Sequence, residues 1–197
     1  FAYIFFALRV INRSTGMIYN EGLIGVEKLI EADRDAYQSS IAISLCFMNI
    51  VDNDAESVGK NLDDADVNLK QVQERFSAFE EIYRAAKRVE HPAFAVFKEN
   101  YTELVRMTAT LRERISAMDR DAAWRLYSGD YAKAFGLMRG AMDDLTNVML
   151  DATAKDYDSS NAAYRQIVRT LVVIFCLVVA FSVFFALLLA ASITRPV

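Results

Sequence analysis

The chain has 197 residues, a formal net charge of −4 and a hydrophobic fraction of 54%, which is ample for the core of one domain. The slightly acidic charge and the absence of a basic run exclude nucleic acid as an expected partner. A single histidine and two cysteines, Cys46 and Cys176, provide neither a zinc site nor a disulfide framework, so we expect no metal and no cofactor.

The amino-terminal stretch is apolar from Phe1 to Leu8, is interrupted by Arg9 and continues with Val10 and Ile11. It is too short to cross a bilayer and does not begin with methionine. We therefore interpret residues 1–11 as the end of a truncated first transmembrane helix. A signal peptide is the alternative, although a basic amino-terminal region and a small-residue cleavage site are both missing.

Helix-forming residues dominate residues 12–170, and strand-like alternation of useful length is missing. Three breaks divide this region into four long helices. The breaks are residues 52–54 with an aspartate cap, residues 89–92 with a proline start, and residues 128–130 with a glycine stop. We expect the first helix to run from the membrane to about residue 51, and the others at about 54–88, 92–127 and 130–195.

Helices of similar length with short connections predict an all-α fold, an up-down-up-down antiparallel four-helix bundle whose first and last helices continue into the membrane. Apolar residues at heptad spacing support the helices, and we interpret their methionine and aromatic stripes as core rather than as a cofactor site. On the second helix the stripe comprises Val58, Leu62, Ala65, Leu69, Val72, Phe76, Phe79, Tyr83 and Ala86.

The carboxyl-terminal stretch at residues 171–193 carries no charge. As a helix it would reach about 34 Å, which exceeds the hydrocarbon thickness of a bilayer. We interpret it as a second transmembrane helix. The last residues, 194–197, complete the sequence Ile-Thr-Arg-Pro-Val.

The order of truncated span, bundle, second span and Ile-Thr-Arg-Pro-Val resembles a bacterial chemoreceptor, a methyl-accepting chemotaxis protein. Looser similarities are Asp33-Arg34 with Tyr37-Gln38, and Phe135, Met138 and Arg139 with Asp143 and Leu145. The resemblance implies that residues 12–170 are a periplasmic four-helix-bundle sensor domain and that a HAMP linker starts at 194–197.

The same resemblance implies a homodimer in the bacterial inner membrane that senses a small molecule or a ligand-loaded periplasmic binding protein. A cytoplasmic histidine kinase and a coupling protein would be its partners through a region that follows Val197. Sensor histidine kinases and diguanylate cyclases use the same input unit, so the input domain of such an enzyme is an alternative. A non-sensory, membrane-anchored helical scaffold is a second alternative.

The heptad register of the first helix places Asp33 among inward-facing residues, with Arg34 at the flank and Asp35 facing solvent. A buried carboxylate requires a partner. Counting the helical rise along each helix from the membrane side places Arg75, Arg112 and Asn147 at the same distance from the membrane as Asp33. The predicted inward stripe is Leu23, Val26, Ile30, Asp33, Tyr37 and Ile41.

Three interpretations of Asp33 stay open. Asp33 forms a structural pair with Arg112 or Arg75, or it is a polar element of a dimer seam, or it contacts a ligand. The ligand interpretation gives a candidate site of Asp33, Arg34, Tyr37, Gln38, Arg112 and Asn147.

The amino-acid receptors of the family hold the ligand carboxylate with arginines near the far end of the first helix, but residues 40–49 contain no arginine here. Arg120, Arg125 and Arg139 either clamp an anion or face solvent. Trp124, Tyr127 and Tyr131 either stack on a ligand or close the bundle end. The sequence contains no phosphate loop or catalytic triad, so we do not expect an enzyme.

Overall fold

A computed structural model describes residues 2–52 and 54–194, and the expected linker residues 195–197 lie outside the described part. The chain divides into two compact units. The bundle unit is Ile18–Thr153, and the terminal unit combines Phe1–Met17 with Ala154–Val197.

The described residues are almost entirely helical, which confirms the predicted all-α four-helix bundle. Two short π-helical turns join α-helices without a break. The helices are α1 at Ala2–Met17, a π-helical turn at Ile18–Leu23, α2 at Ile24–Val51, α3 at Ala55–Ala85, α4 at Ala93–Ser116, α5 at Arg120–Leu126, a second π-helical turn at Tyr127–Tyr131, and α6 at Ala132–Thr194.

The core of the bundle unit is formed by apolar residues of α2, α3, α4 and α6. Phe76 of α3 stacks on Phe97 of α4 with ring centroids 3.4 Å apart, and Phe79 stacks on Phe94. The predicted stripe of α3 is confirmed in its central part, because its seven residues from Leu62 to Tyr83 are buried. Each fully buried large apolar side chain stabilises the fold by about 1.5–3 kcal/mol.

Two of the three predicted breaks coincide with helix ends. Asp54 caps α3 by accepting a hydrogen bond from the Ser57 amide at 3.0 Å. Pro92 precedes α4, and the Tyr83 hydroxyl donates to the Val89 carbonyl at 2.7 Å in the turn between α3 and α4.

The third predicted break, at residues 128–130, is wrong. These residues belong to the π-helical turn that leads into α6, and the actual turn lies about ten residues earlier. Met118 adopts a left-handed conformation there with φ 58°, and the Asp119 side chain accepts from the Ala122 amide to cap α5. The sequence signal was weak because neither glycine nor proline marks this turn.

The predicted inward stripe of α2 is also wrong. Leu23, Ile30 and Ile41 are more than half exposed, whereas small residues such as Ala32 and Ala36 are buried. Larger residues of α2, Leu29 and Ile43, are buried on the same face as these alanines, so the inward face lies to one side of the predicted stripe.

The π-helical turn at Ile18–Leu23 contains a close approach that only glycine permits. A Cβ atom on Gly22 would overlap Thr153 Oγ1 and would lie 2.8 Å from Thr153 Cγ2. Arg88 and Glu21 lie 3.5 Å apart at this same end, which we call the near end of the bundle. The far end carries the α2–α3 and α4–α5 turns.

The terminal unit contains α1 and the part of α6 from Ala154 onward. In α1, the Arg9 guanidinium lies 5.5 Å from the centroid of the Phe5 ring. Among the described residues, one helix is long and apolar enough to cross a membrane, and no part of its most apolar window is buried. That window lies in the carboxyl-terminal part of α6, where side chains such as Phe175 and Leu187 are exposed.

Candidate functional site

An ion pair joins Asp33 on α2 to Arg139 on α6. Arg139 Nε donates to Asp33 Oδ1 at 2.5 Å, and Nη2 donates to Oδ2 at 3.0 Å. Arg139 Nη1 also donates to the Tyr37 hydroxyl at 2.8 Å. A two-point pair of this kind fixes the plane of the guanidinium and is stronger than neutral hydrogen bonds. It therefore ties the first helix of the bundle to the last one.

Two aromatic rings support this ion pair. The guanidinium carbon of Arg139 lies 4.1 Å from the centroid of the Tyr37 ring, and Tyr37 meets Phe135 edge-on at 5.6 Å. The hydrogen bond to Asp33 is the main reason why the pKa of Arg139 is raised. The side chains of Arg139 and Asp33 are 25% and 28% exposed, so the pair lies at the bundle surface. We call Asp33, Tyr37, Phe135 and Arg139 the Arg139 cluster.

Asp33 is therefore paired, but the predicted partners were wrong. The sequence favoured Arg112 or Arg75, and it placed Asp33 in the core. In the structure the core position belongs to Asp35, whose side chain is fully buried, because the inward face of α2 differs from the predicted stripe.

Asp35 lies among charged groups from α2 and α3. Its Oδ1 accepts hydrogen bonds from Arg34 Nε at 3.0 Å and Arg34 Nη2 at 2.8 Å. Arg75 Nε lies 3.7 Å from its Oδ2, beyond hydrogen-bonding distance, and Arg75 Nη1 lies 3.2 Å from Glu31. The hydrogen bond to Asp35 raises the pKa of Arg34. Arg34 thus compensates a buried carboxylate while its own side chain stays half exposed.

Arg112 lies nearer the far end than Asp33 and does not join the Arg139 cluster. Its Nη2 atom donates to Asp66 at 2.5 Å and to Asp63 at 3.0 Å, both on α3. The hydrogen bonds to these aspartates raise the pKa of Arg112 even though its partial burial opposes the shift. Arg112 also lines a cavity of about 240 Å³ between α2, α3 and α4.

Asn147 and Gln38 are exposed. Asn147 was expected level with Asp33 because the last helix was predicted to start near residue 130. The helical segment that leads into α6 begins at Arg120, so the residue level with Asp33 is Arg139, about 12 Å along the helix from Asn147. The structure thus brings Asp33 and Tyr37 together and leaves the other four candidates elsewhere.

The pairing of Arg139 with Asp33 differs from the partners predicted from the sequence. The signal that indicates the pairing is two equal spacings, Asp33 with Tyr37 and Phe135 with Arg139. Residues four apart lie on one face of a helix, so each pair presents one aromatic and one charged side chain to the facing helix. Correct placement of the turn at Met118 would have brought the two pairs to the same height.

The aromatic residues at the far end pack on one another. Trp124 meets the Phe47 ring edge-on at 5.3 Å, and Tyr127 stacks on Tyr131 at 5.3 Å. The Tyr127 hydroxyl donates to the Ser40 carbonyl at 3.2 Å, which links the second π-helical turn to α2. These contacts favour closure of the bundle end, while Arg120 and Arg125 are exposed.

Tyr131 belongs to a polar layer inside the bundle. Burial raises its pKa to about 12, although hydrogen bonding to Ser39 and Thr108 opposes the shift. Ser39 Oγ donates to the Ala65 carbonyl at 2.8 Å, and Thr108 is buried. The layer therefore contains three hydroxyl groups, from Ser39, Thr108 and Tyr131, and a backbone carbonyl of α3.

The outward face of α2 is unusually apolar. Arg34 lies among these apolar side chains, and its charge is paired with Asp35. The outward face of α3 instead carries exposed charges such as Lys60, Asp64 and Glu81. We call the exposed apolar residues along this face the outer stripe. Leu23 lies at the end of the first π-helical turn, and the others lie on α2; they are Ile30, Tyr37, Ile41, Leu45, Met48 and Val51.

Within residues 2–52 and 54–194, no three histidine, cysteine or acidic side chains converge as a metal-ion site would require. The candidate functional features of the bundle are thus its ion pairs, its aromatic contacts and the cavity at its far end.

The family model of the four helix bundle sensory module for signal transduction matches residues 4–164. No curated protein and no solved structure matches the chain significantly. The matched region contains the whole bundle unit, including the Arg139 cluster, the polar layer and the far-end cavity. The chain therefore belongs to the family of four-helix-bundle sensory modules of methyl-accepting chemotaxis proteins.

Proposed function

We propose that this chain is the sensory and membrane-spanning part of a bacterial chemoreceptor. Residues 12–170 sense a small molecule or a ligand-loaded binding protein in the periplasm. Family membership supports a sensory role, and the exposed apolar stretch of α6 supports a membrane location. In this proposal residues 1–11 and 171–193 are the two transmembrane segments, and the HAMP linker starts at residue 194.

The observation that carries the proposal is the extent of α6. One helix, Ala132–Thr194, contains Arg139, which binds α2, and also the apolar stretch. A change in the contact between α2 and Arg139 therefore acts directly on the helix that would enter the membrane. Shifts of about 1–2 Å between packed helices are an established means of signalling. A ligand drives such a shift only if it binds one helix arrangement more tightly than the other.

We further propose that the receptor is a homodimer joined through the outer stripe of α2. Exposed apolar patches of this kind mark interaction surfaces. A second copy provides the same stripe, so a two-fold axis along α2 would bury both stripes together. Arg34 would be buried in this interface, and its positive charge would remain compensated because it is paired with Asp35.

The output of the receptor is proposed to be control of a cytoplasmic histidine kinase through a coupling protein, and the chain itself to have no enzymatic activity. The family description specifies signal transduction but does not name the output domain. A second candidate function therefore remains. In that candidate the chain is the input of a sensor histidine kinase or a diguanylate cyclase. A long heptad hairpin after Val197 would favour the chemoreceptor, and a catalytic domain there would favour the second candidate.

A ligand screen tests direct sensing. The full chain is placed in lipid nanodiscs, and its melting temperature is measured with a panel of small metabolites. A ligand at 100 times its dissociation constant should add about 2.7 kcal/mol to the free energy of unfolding. If no metabolite raises the melting temperature, direct small-molecule sensing is contradicted, and the same assay with candidate binding proteins decides the indirect route. If neither binds, the scaffold alternative replaces the sensory proposal.

A further inference from the structure

The far-end cavity lies where α2 and α4 end and where α3 begins. It occupies about 240 Å³ between these three helices. A mostly apolar concavity with a few polar groups is the usual form of a small-molecule site. The apolar lining includes Ile50, Val58, Leu62, Ile115 and Met118, and the polar lining includes Asn49, Asp54, Arg112 and Ser116.

The apolar lining sets the size of what fits. Leu62 and Ile115 are buried, so the cavity reaches the core between the helices. An apolar cavity of about 150 Å³ is known to hold a benzene molecule. A volume of about 240 Å³ therefore takes one ring with a short substituent, or a branched chain of similar size.

The charged groups at the cavity are mainly acidic. Arg112 donates to Asp63 and Asp66, so its positive charge is already compensated. Asp54 lines the cavity, and hydrogen bonding to Ser57 lowers its pKa, so this carboxylate stays ionised. Three carboxylates thus accompany one guanidinium at this place. The balance favours a cation over an anion.

Two helix ends add negative partial charge. Ile50 lies in the last turn of α2, and Ser116 is the last residue of α4. The carbonyl groups at such an end carry about half a negative charge, which attracts a cation. The last turn of α2, which the structure describes throughout, contains no basic residue, and Arg114 in the last turn of α4 lies 3.5 Å from Asp119. Glu56 in the first turn of α3 offsets the opposite dipole of that helix.

The polar lining provides acceptors for an ammonium group, which has three donors and no acceptor. Asp54 uses Oδ1 to accept the Ser57 amide, and a carboxylate can accept several further hydrogen bonds. The Asn49 side-chain carbonyl and the Ser116 hydroxyl can accept as well.

We propose that the far-end cavity binds a small amphipathic ammonium ion, with its ring or hydrocarbon on the apolar lining and its ammonium group on Asp54. This inference rests on the proposed sensory function, because it names the ligand class and the site. It places the ligand inside one subunit, between three helices of the same bundle.

Neighbouring contacts connect this cavity to the output helix. Phe47, one turn from Ile50 on α2, packs on the Tyr127 ring at 5.5 Å. Tyr127 opens the π-helical turn that continues into α6 and also binds the Ser40 carbonyl. A ligand that repositions the far end of α2 would thus act on the start of the output segment.

Calorimetric titration of the full chain in phosphatidylcholine nanodiscs tests the ligand class with three probes of similar size. We expect benzylammonium to bind with one site per chain, about tenfold more tightly than neutral benzyl alcohol and more tightly still than benzoate. Empty nanodiscs measure the uptake of each probe by the lipid. Absence of saturable benzylammonium binding, or equally tight binding of benzyl alcohol or benzoate, overturns the proposal.

Two glycine variants test the place of binding. A Cβ on Gly59 meets no atom within 4 Å, and Gly59 lines the cavity, so Gly59→Leu fills it without a clash. The matched control is Gly136→Leu on α6, where a Cβ also has open space. We expect Gly59→Leu to weaken benzylammonium binding at least about tenfold and Gly136→Leu to leave it unchanged. Unchanged binding in Gly59→Leu overturns the site.

Two aspartate variants test the ammonium contact. Asparagine caps a helix as well as aspartate does, so Asp54→Asn removes the charge and keeps the start of α3. It should weaken benzylammonium binding about three- to tenfold and leave benzyl alcohol binding unchanged. The matched control is Asp119→Asn, because Asp119 caps α5 and lies outside the cavity lining. Equal loss of both probes in Asp54→Asn, or no loss of either, contradicts the contact.

Arg112→Gln tests the sign of the charge effect. The substitution leaves Asp63 and Asp66 without their cation, so the negative potential at the cavity increases. Benzylammonium binding should therefore tighten about two- to fivefold, a gain that structural damage does not produce. Melting curves verify that each variant is folded. Weaker benzylammonium binding with unchanged benzyl alcohol binding contradicts the charge assignment.

The metabolite screen separates failure of the cavity proposal from failure of the sensory function. If benzylammonium does not bind but a metabolite binds and its binding survives Gly59→Leu, the cavity proposal fails while the sensory function stands. If benzylammonium, every screened metabolite and every candidate binding protein fail to bind, both are contradicted.

Discussion

Asp33 and Arg139 are held by two hydrogen bonds of 2.5 and 3.0 Å although 106 positions separate them in sequence. They are the two charged groups of the Arg139 cluster, and they tie α2 directly to α6. Because both are about three-quarters buried, the pair is less screened by solvent than a fully exposed one.

A double-mutant cycle measures this pair. Asp33→Asn and Arg139→Gln each should lower the free energy of unfolding, and the coupling between them should be about 1 kcal/mol. The measurement is chemical denaturation of the full chain in mild detergent. Arg106→Gln with Glu103→Gln is the control cycle, because that pair lies three residues apart on one exposed helix face. Coupling no larger than in the control would contradict a cross-helix tie.

Gly22 should not tolerate a side chain. Gly22→Ala places a Cβ against Thr153 and should cost about 1–3 kcal/mol of unfolding free energy. Thr153→Ala in the same chain removes the two nearest atoms and should recover a large part of the loss. Gly140→Ala on α6 is the control, since its Cβ has open space and alanine favours a helix. A thermal melt that ranks Gly22→Ala with Gly140→Ala would refute the close approach.

Lys87 occupies a left-handed conformation with φ 53° after the end of α3. Glycine adopts this conformation without the cost that a Cβ imposes, so Lys87→Gly should raise the free energy of unfolding by about 1 kcal/mol. The neighbouring Ala86 has φ −71°, and Ala86→Gly should lower stability instead. Denaturant midpoints of the two variants should therefore move in opposite directions.

Tyr131 should make the fold sensitive to alkali. Its pKa is raised by burial to about 12, above the ordinary value of about 10, so the folded state keeps a proton that the unfolded state has lost. Stability is full below pH 10 and falls as the pH rises towards 12, by about 2–3 kcal/mol from this group. Tyr131→Phe removes this contribution. The difference in unfolding free energy between the two proteins should therefore shrink across that range, and a constant difference would exclude the effect.

The outer stripe should govern self-association. Ile30→Glu and Ile41→Glu introduce charges into the proposed seam and should shift the full chain in detergent from dimer to monomer. Light scattering coupled to gel filtration gives the mass. Val67→Glu on α3 is the matched control, because Val67 is 55% exposed and lies away from the stripe. A chain that stays dimeric with both substitutions contradicts a seam on α2.

The fold was predictable because its signals repeat. The stripe of α3 from Leu62 to Tyr83 follows one period for six turns, and Asp54 and Pro92 are strong end signals. The turn at Met118 was not predictable in the same way, since a methionine takes a position that glycine usually occupies. That one displaced turn moved the expected level of the last helix and so concealed Arg139.

The face of α2 was mistaken for a related reason. Periodicity identifies an apolar face but does not tell whether the bundle core or another chain covers it. Ile30 and Ile41 follow the same heptad rule as core residues, while the true core face of α2 contains Leu29 and Ile43 together with small residues such as Ala32. A helix with two apolar faces cannot be oriented from hydrophobic periodicity alone.

The second π-helical turn has a consequence for sequence length. A π-helical turn accommodates one residue more than an α-helical turn at the same place. Loss of one residue within Tyr127–Tyr131 would therefore convert this segment to regular α-helix and leave Arg139 facing Asp33. Loss of one residue a few turns later, within Ala132–Thr194, would rotate the remainder of the helix by about 100°. Tyr127–Tyr131 is thus the part of the output helix that can lose one residue without changing the phase of the residues that follow.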